Sequence, residues 1–156
     1  MLKNNKKSLR IIEIEKFIKE FYDINNVKIK PIGHVELDRH YVFEIKIRES
    51  KYILKFFGID AKWKNEVFVL KLLDNKLFTP KVLQSGRYKE YYYVIMEKID
   101  GLMVEEIWKQ LSNANKIKLL NNVGKALAQI HTISSYDYFG SWNKNKPRKD
   151  LSEYRK

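Results

Sequence analysis

Apolar residues change their spacing four times along this chain. Over residues 9–22, Ile11, Ile14, Ile18 and Phe21 recur at intervals of three and four with charges between them, which predicts an amphipathic helix. Asn25 and Asn26 break it, and from Val27 the period becomes two. Val27 and Ile29 lead into Pro31-Ile32-Gly33. Tyr41, Phe43, Ile45 and Ile47 then alternate with polar neighbours, and Lys51 to Phe57 forms a third strand-like run, with Glu49-Ser50 as the tight turn between the last two. A second helix is expected over about 61–76, closed by Thr79-Pro80. Lys81 to Ser85 reads as a strand, Gly86 to Glu90 as a turn, and Tyr91 to Met96 as a strand covered on both faces. Beyond Lys98-Ile99-Asp100-Gly101 the pattern is helical, roughly 103–111 and then 114–133, with Ile117, Leu120, Leu127 and Ile130 on one side.

The order is helix, three strands, helix, two strands, linker, helices. Short connections between neighbouring strands make the sheet antiparallel, with one helix inserted after its third strand. The expected class is therefore α+β: a five-stranded antiparallel sheet preceded by an N-terminal helix and followed by the first helices of a helical part. The composition break sets expected boundaries at 1–97 for the sheet domain, 98–101 for a hinge, 102–142 for the helices and 143–156 for a basic tail with little to bury.

Composition removes several classes of protein. With 44% hydrophobic and 13% aromatic residues the chain can build a core. Cysteine is absent, which excludes disulfide scaffolds, thiol catalysis and iron–sulfur clusters and suits a reducing cytoplasm. No apolar run approaches the roughly 20 residues of a membrane helix. Glu13, Glu15 and Lys16 interrupt the segment in which a signal peptide would need its apolar stretch. The net charge of +12, from 31 Lys+Arg against 19 Asp+Glu, would attract polyanions. Yet the cations are mostly lysines scattered among Ile and Asn, with no arginine stripe of the kind that tracks a nucleic acid. A solvated basic surface is the simpler reading.

Two residues carry the chemistry. Alternation in Tyr52-Ile53-Leu54-Lys55-Phe56-Phe57 places Lys55 on the face of Ile53 and Phe57, with Tyr52, Leu54 and Phe56 turned the other way. A lysine among apolar neighbours is either an edge residue reaching for water or a cation awaiting an anion. Glu66 favours the second reading. Trp63, Leu70, Leu73 and Leu77 lie at helical offsets from it, so its carboxylate falls in the apolar stripe of the second helix and needs a cation. The helix follows the Lys55 strand directly, so one lysine with one glutamate is the economical pairing.

With these residues in place, the chain resembles the N-terminal lobe of the protein-kinase-like small-molecule phosphotransferases, the aminoglycoside phosphotransferase and choline-kinase-like group. The matching segments are Ile53-Leu54-Lys55, Trp63-Lys64-Asn65-Glu66, Thr79-Pro80-Lys81-Val82-Leu83, Val94-Ile95-Met96-Glu97-Lys98-Ile99-Asp100-Gly101, Leu127-Ala128-Gln129-Ile130-His131 and Phe139-Gly140, in the family's order. The resemblance implies an ATP- or GTP-dependent kinase that uses Mg2+ and transfers a phosphoryl group to a small-molecule hydroxyl. It implies that Lys55 meets the α/β-phosphates and that Glu66 orients it. Ile32 and Ile53 would roof the base, the backbone of Glu97 and Ile99 would hold its edge, and Met96 would sit behind it.

The sequence departs from the family in two places. Gly33-His34-Val35-Glu36-Leu37-Asp38-Arg39-His40 has a single glycine where a phosphate-cradling loop is expected, and its Glu36 and Asp38 would repel phosphate unless turned outward. Drawn as a continuous strand, His34, Glu36, Asp38 and His40 would share a face and could ligate a metal, but a turn fits the segment better. The family's His-Gly-Asp, with Asn five residues after the Asp, is missing: Asp137 is followed by Asn143 at +6. His131 matches a position that fills the core, so no catalytic residue is expected here. The expectation is a nucleotide-binding fragment that is silent alone and associates through its helices. A regulatory interaction module is the alternative, and a basic nucleic-acid-binding domain a more distant one.

Overall fold

In a computed structural model of the chain, residues 11–22, 27–32 and 40–133 are described. Helix α1 (Ile11–Tyr22) is followed by β1 (Lys28–Pro31), β2 (His40–Ile47), β3 (Ser50–Phe57), α2 (Asp60–Leu73), β4 (Val82–Tyr88) and β5 (Tyr91–Glu97). Then come the short α3 (Val104–Ile107), a 3₁₀ turn at Trp108–Gln110 and α4 (Asn113–Ile133). The five strands form one sheet in the order β1-β2-β3-β5-β4 with every pair antiparallel, and α2 is inserted between β3 and β4. This is the expected α+β class. The Asn25-Asn26 break and the Gly33–Arg39 loop, with its metal-ligand pattern, lie outside the described residues.

The chain divides into two compact units. One holds the described residues up to Trp63 together with Val82–Lys98. The other holds Lys64–Lys81 and the chain from Ile99 onward.

In the first unit, one face of the sheet makes an aromatic core beneath α1. Phe43, Ile45, Leu54, Phe56, Tyr88, Tyr93 and Ile95 meet Ile14, Phe17 and Ile18 in a single buried cluster. Phe17 is its centre, with ring centroids 5.5 Å from Phe56, 4.9 Å from Tyr88 and 4.7 Å from Tyr93, all edge-on. Edge-on pairs set positive ring edges against negative faces, which adds to the area term. The helical spacing had suggested Ile11 and Phe21 as inward positions. Both are 44% exposed, whereas the expected Ile14 and Ile18 are fully buried and Phe17 between them completes the inward stripe.

Two turns differ from expectation. Ile47 pairs with Ser50, so the β2–β3 hairpin turns on Arg48-Glu49, with Arg48 in the left-handed region at φ 55°. The β4–β5 hairpin likewise turns on Lys89-Glu90, with Lys89 at φ 53°. Gly86 is therefore inside β4, directly opposite Tyr93. A Cβ there would stand 3.1 Å from the Tyr93 hydroxyl and 3.2 Å from its ring, so glycine serves a close approach and not a turn.

Truncating Phe17 to alanine removes the hub of this cluster. The expected loss is about 3–5 kcal/mol in urea unfolding, the usual range for a buried phenylalanine. The same change at the half-exposed Phe21 should cost clearly less.

Candidate functional site

The opposite face of the same sheet gathers the residues singled out from the sequence. Strand alternation and register place Ile53, Lys55 and Phe57 of β3 on it with Val42 and Glu44 of β2 and Tyr92, Val94 and Met96 of β5. Ile53 pairs with Glu44 on one side and Met96 on the other; Lys55 pairs with Val42 and Val94. Ile32 extends β1, its N–H donating to the Val42 carbonyl at 2.9 Å, which brings it into the row of Lys55. Four of the predicted residues, Ile32, Ile53, Lys55 and Met96, thus share one face. Val94 and Met96 are buried; Val42, Ile53 and Lys55 are half-buried.

Lys55 keeps its ammonium 5.0 Å from the centroid of the fully buried Phe57 ring. The ring's negative face attracts a cation. At the far end of the face, Trp63 joins the first turn of α2 to β5. Its Nε1–H donates to the Tyr93 carbonyl at 2.9 Å, and its indole stacks on Tyr92 at 5.0 Å and 25°. The sequence placed Trp63 in an apolar stripe and in a segment that matches the family, without a hydrogen-bonding role. The missed signal was the indole N–H, which needs an acceptor when it is buried.

A second feature was not foreseen. Lys98 Nζ lies 2.9 Å from Glu44 Oε2, an ion pair that spans β3 on the Ile53 side. The Lys98 hydrogen bond is the chief reason the Glu44 carboxyl titrates below its ordinary value. Partial burial opposes the shift, and the positive charges of Lys98, Lys51 and Lys30 reinforce it. The available signal was parity: Glu44 is a charged residue on the even face of β2, which also carries Val42.

The other predicted residues are placed differently. Glu97 pairs with Tyr52, so its side chain is turned to the α1 side of the sheet and is exposed; its proposed part is a backbone one. Ile99, in the linker after β5, is 37% exposed and belongs to the second unit, as does Glu66, half-buried on α2. His131 is exposed in the last turn of α4, and Asp137 lies outside the described residues. Among the described residues no group of three His, Cys, Asp or Glu could hold a metal ion, and no helix is long and apolar enough to cross a membrane.

A sheet of this order with one inserted helix and an N-terminal helix is the protein-kinase-like phosphotransferase fold, present in part. The chain is similar in structure to aminoglycoside phosphotransferase APH(4)-Ia, with a TM-score of 0.59 and 21% identity over 78% of this chain and 39% of that one. A thermostable mutant of that enzyme, in ternary complex with AMP-PNP and hygromycin B, matches at TM-score 0.59 and 19% identity, with the same coverage. Another, in ternary complex with ADP and hygromycin B, matches at 0.56 and 18%, again over 78% and 39%. The chain thus spans about two-fifths of the length of these enzymes. No family model and no curated protein sequence matches it.

The ion pair has a pH signature. A carboxylate whose folded pKa is depressed adds stability above its unfolded pKa, and that contribution disappears as pH falls through the folded value. Replacing Lys98 with methionine should raise the Glu44 titration toward the ordinary carboxylate value, read by NMR titration of its side-chain carbon. An unchanged titration would show that Lys98 does not hold it.

Proposed function

We propose that the face carrying Lys55 binds the nucleotide of an ATP- or GTP-dependent phosphotransferase that acts on a small-molecule hydroxyl in the cytoplasm. The observation that carries this reading is Lys55 half-buried between Val42 and Val94, on the sheet face it shares with Ile53 and Met96 and in register with the strand that leads into the linker. A flat base is matched by aliphatic side chains such as Ile32 and Ile53, and a polyphosphate by one ammonium at the end of that surface. Met96 closes the site behind the base, and the backbone of Glu97 and Ile99 supplies donors and acceptors for its edge. Lys55 meets the α/β-phosphates, and Glu66 keeps it extended.

Support comes from the kinase-like fold and from nucleotide complexes of the similar enzymes. Magnesium, which the resemblance implies, finds no three-ligand cluster among the described residues, and none of these roles involves it. The sequence holds no His-Gly-Asp with an Asn five residues beyond the Asp, so no catalytic base is assigned and the 156 residues alone should turn over no nucleotide.

Calorimetric titration with ATP and GTP tests the reading. Lys55→Ala and Glu66→Ala should each weaken binding by about 1–3 kcal/mol, the usual range for a contact to a charged group. A folded wild type that takes up neither nucleotide would refute it.

A second reading rests on α4. Ile117, Leu120 and Leu127 lie on one side of this helix and are 60%, 57% and 50% exposed. Such a stripe is an interaction surface, which suits a regulatory module or self-association. Light scattering should show the chain associating at micromolar concentration and the Leu120→Lys/Leu127→Lys variant shifting to monomer. A wild type that is sharply monomeric would remove this reading.

A further inference from the structure

On the α1 side of the sheet, away from Lys55, the first unit contains a cleft of about 310 Å³ lined by Tyr22, Ile47, Tyr52, Leu83, Gln84 and Ile95. Five elements build it: the C-terminal end of α1, the hairpin end of β2 and β3, the start of β4, and β5. Its floor is Ile95, one residue before Met96.

The local chain geometry is specific. Val82 pairs with Met96 and Gln84 with Ile95, so Leu83 is the extra residue of a β-bulge. A bulge breaks the strict alternation of a strand, and here two successive side chains, Leu83 and Gln84, both reach the cleft. Leu83 is 47% exposed at its rim.

The polar groups are fixed in advance. The Tyr22 hydroxyl donates to Gln84 Oε1 at 2.6 Å, and Gln84 Nε2 donates to the Tyr93 hydroxyl at 3.0 Å. Each hydroxyl has one proton to give, so Tyr22 still presents an acceptor lone pair to the cleft. Tyr52 brings a further phenol to the wall. Burial, followed by the neighbouring Tyr93 and Tyr52, pushes the Tyr22 phenol above its ordinary value, which keeps it neutral. None of the six lining side chains is charged at neutral pH.

We infer that this cleft is a binding site for a small neutral bicyclic aromatic ring carrying one hydroxyl. Its size falls at the low end of the range for small-molecule pockets, roughly 300–1,000 Å³. Ile47, Leu83 and Ile95 supply the apolar contact, while the Tyr22 and Tyr52 hydroxyls orient one polar substituent. A carboxylate or phosphate would lose its hydration here without gaining a cation. The site does not depend on the nucleotide reading, because it lies on the other face of the sheet and shares no side chain with it.

The test uses a matched pair of probes, 2-naphthol and 2-naphthoate, with the full chain and chemical-shift mapping by protein NMR. 2-Naphthol should bind saturably, with its largest shifts at Tyr22, Tyr52, Leu83 and Ile95, and more tightly than 2-naphthoate. Leu83→Trp should fill the cleft from its exposed rim and reduce 2-naphthol affinity roughly tenfold or more, the scale of losing a buried ring contact. Leu83→Asp, a smaller change at the same rim, should also weaken it and guards against misfolding of the tryptophan variant. The inference fails if 2-naphthol does not saturate, or if neither substitution changes its affinity in a folded chain. It fails equally if 2-naphthoate binds as well as or better than 2-naphthol, since the basic surface would then explain the binding.

Discussion

The register between β3 and β5 is the constraint on which the rest of the first unit depends. Side chains alternate strictly, so a slip of one residue would exchange the two faces of the sheet. Lys55 would then point into the cluster around Phe17, and Leu54 and Phe56 would face the other way. Both outcomes are costly: one buries an ammonium without an anion, and the other exposes apolar surface. The aromatic core beneath α1 therefore does more than add stability. It fixes which residues of β3 and β5 share a face with Lys55.

That division explains how much of the molecule was legible in the sequence. Period-two runs with clean alternation identified β2 and β3 and assigned Lys55, Ile53 and Phe57 to one face correctly. Helical spacing placed α1 and two of its buried residues, Ile14 and Ile18, but missed Phe17 and overstated the burial of Ile11 and Phe21 near the helix ends. Gly86 looked like the start of a turn because glycine usually marks one. Its actual role is to let the Tyr93 ring approach the backbone, a relation between two strands that no single stretch of sequence displays.

The site residues divide in the same way. Lys55 and Ile53, placed by local parity, share their face with Ile32 and Met96, which only the resemblance had singled out. The features that depend on two elements meeting, the Glu44–Lys98 ion pair and the Trp63 hydrogen bond to Tyr93, were not foreseen. Each has an ordinary physical signature: a charge on the Lys55 side of a strand, and an indole donor next to a sheet. In sequence, the charge looks like surface and the indole like core.

The two outermost strands of the sheet have a consequence for how this molecule meets others. β1 spans only Lys28–Pro31, and two lysines and a proline fill most of it. β4 on the opposite margin carries a bulge at its start, with Lys81 just before it and Arg87 near its end. Short length, positive charge, a missing amide proton and a broken ladder all discourage an incoming strand. Amyloid-like stacking of this sheet is therefore disfavoured despite its abundance of Ile, Tyr and Phe. Recognition falls to side-chain surfaces, where it can be specific and reversible.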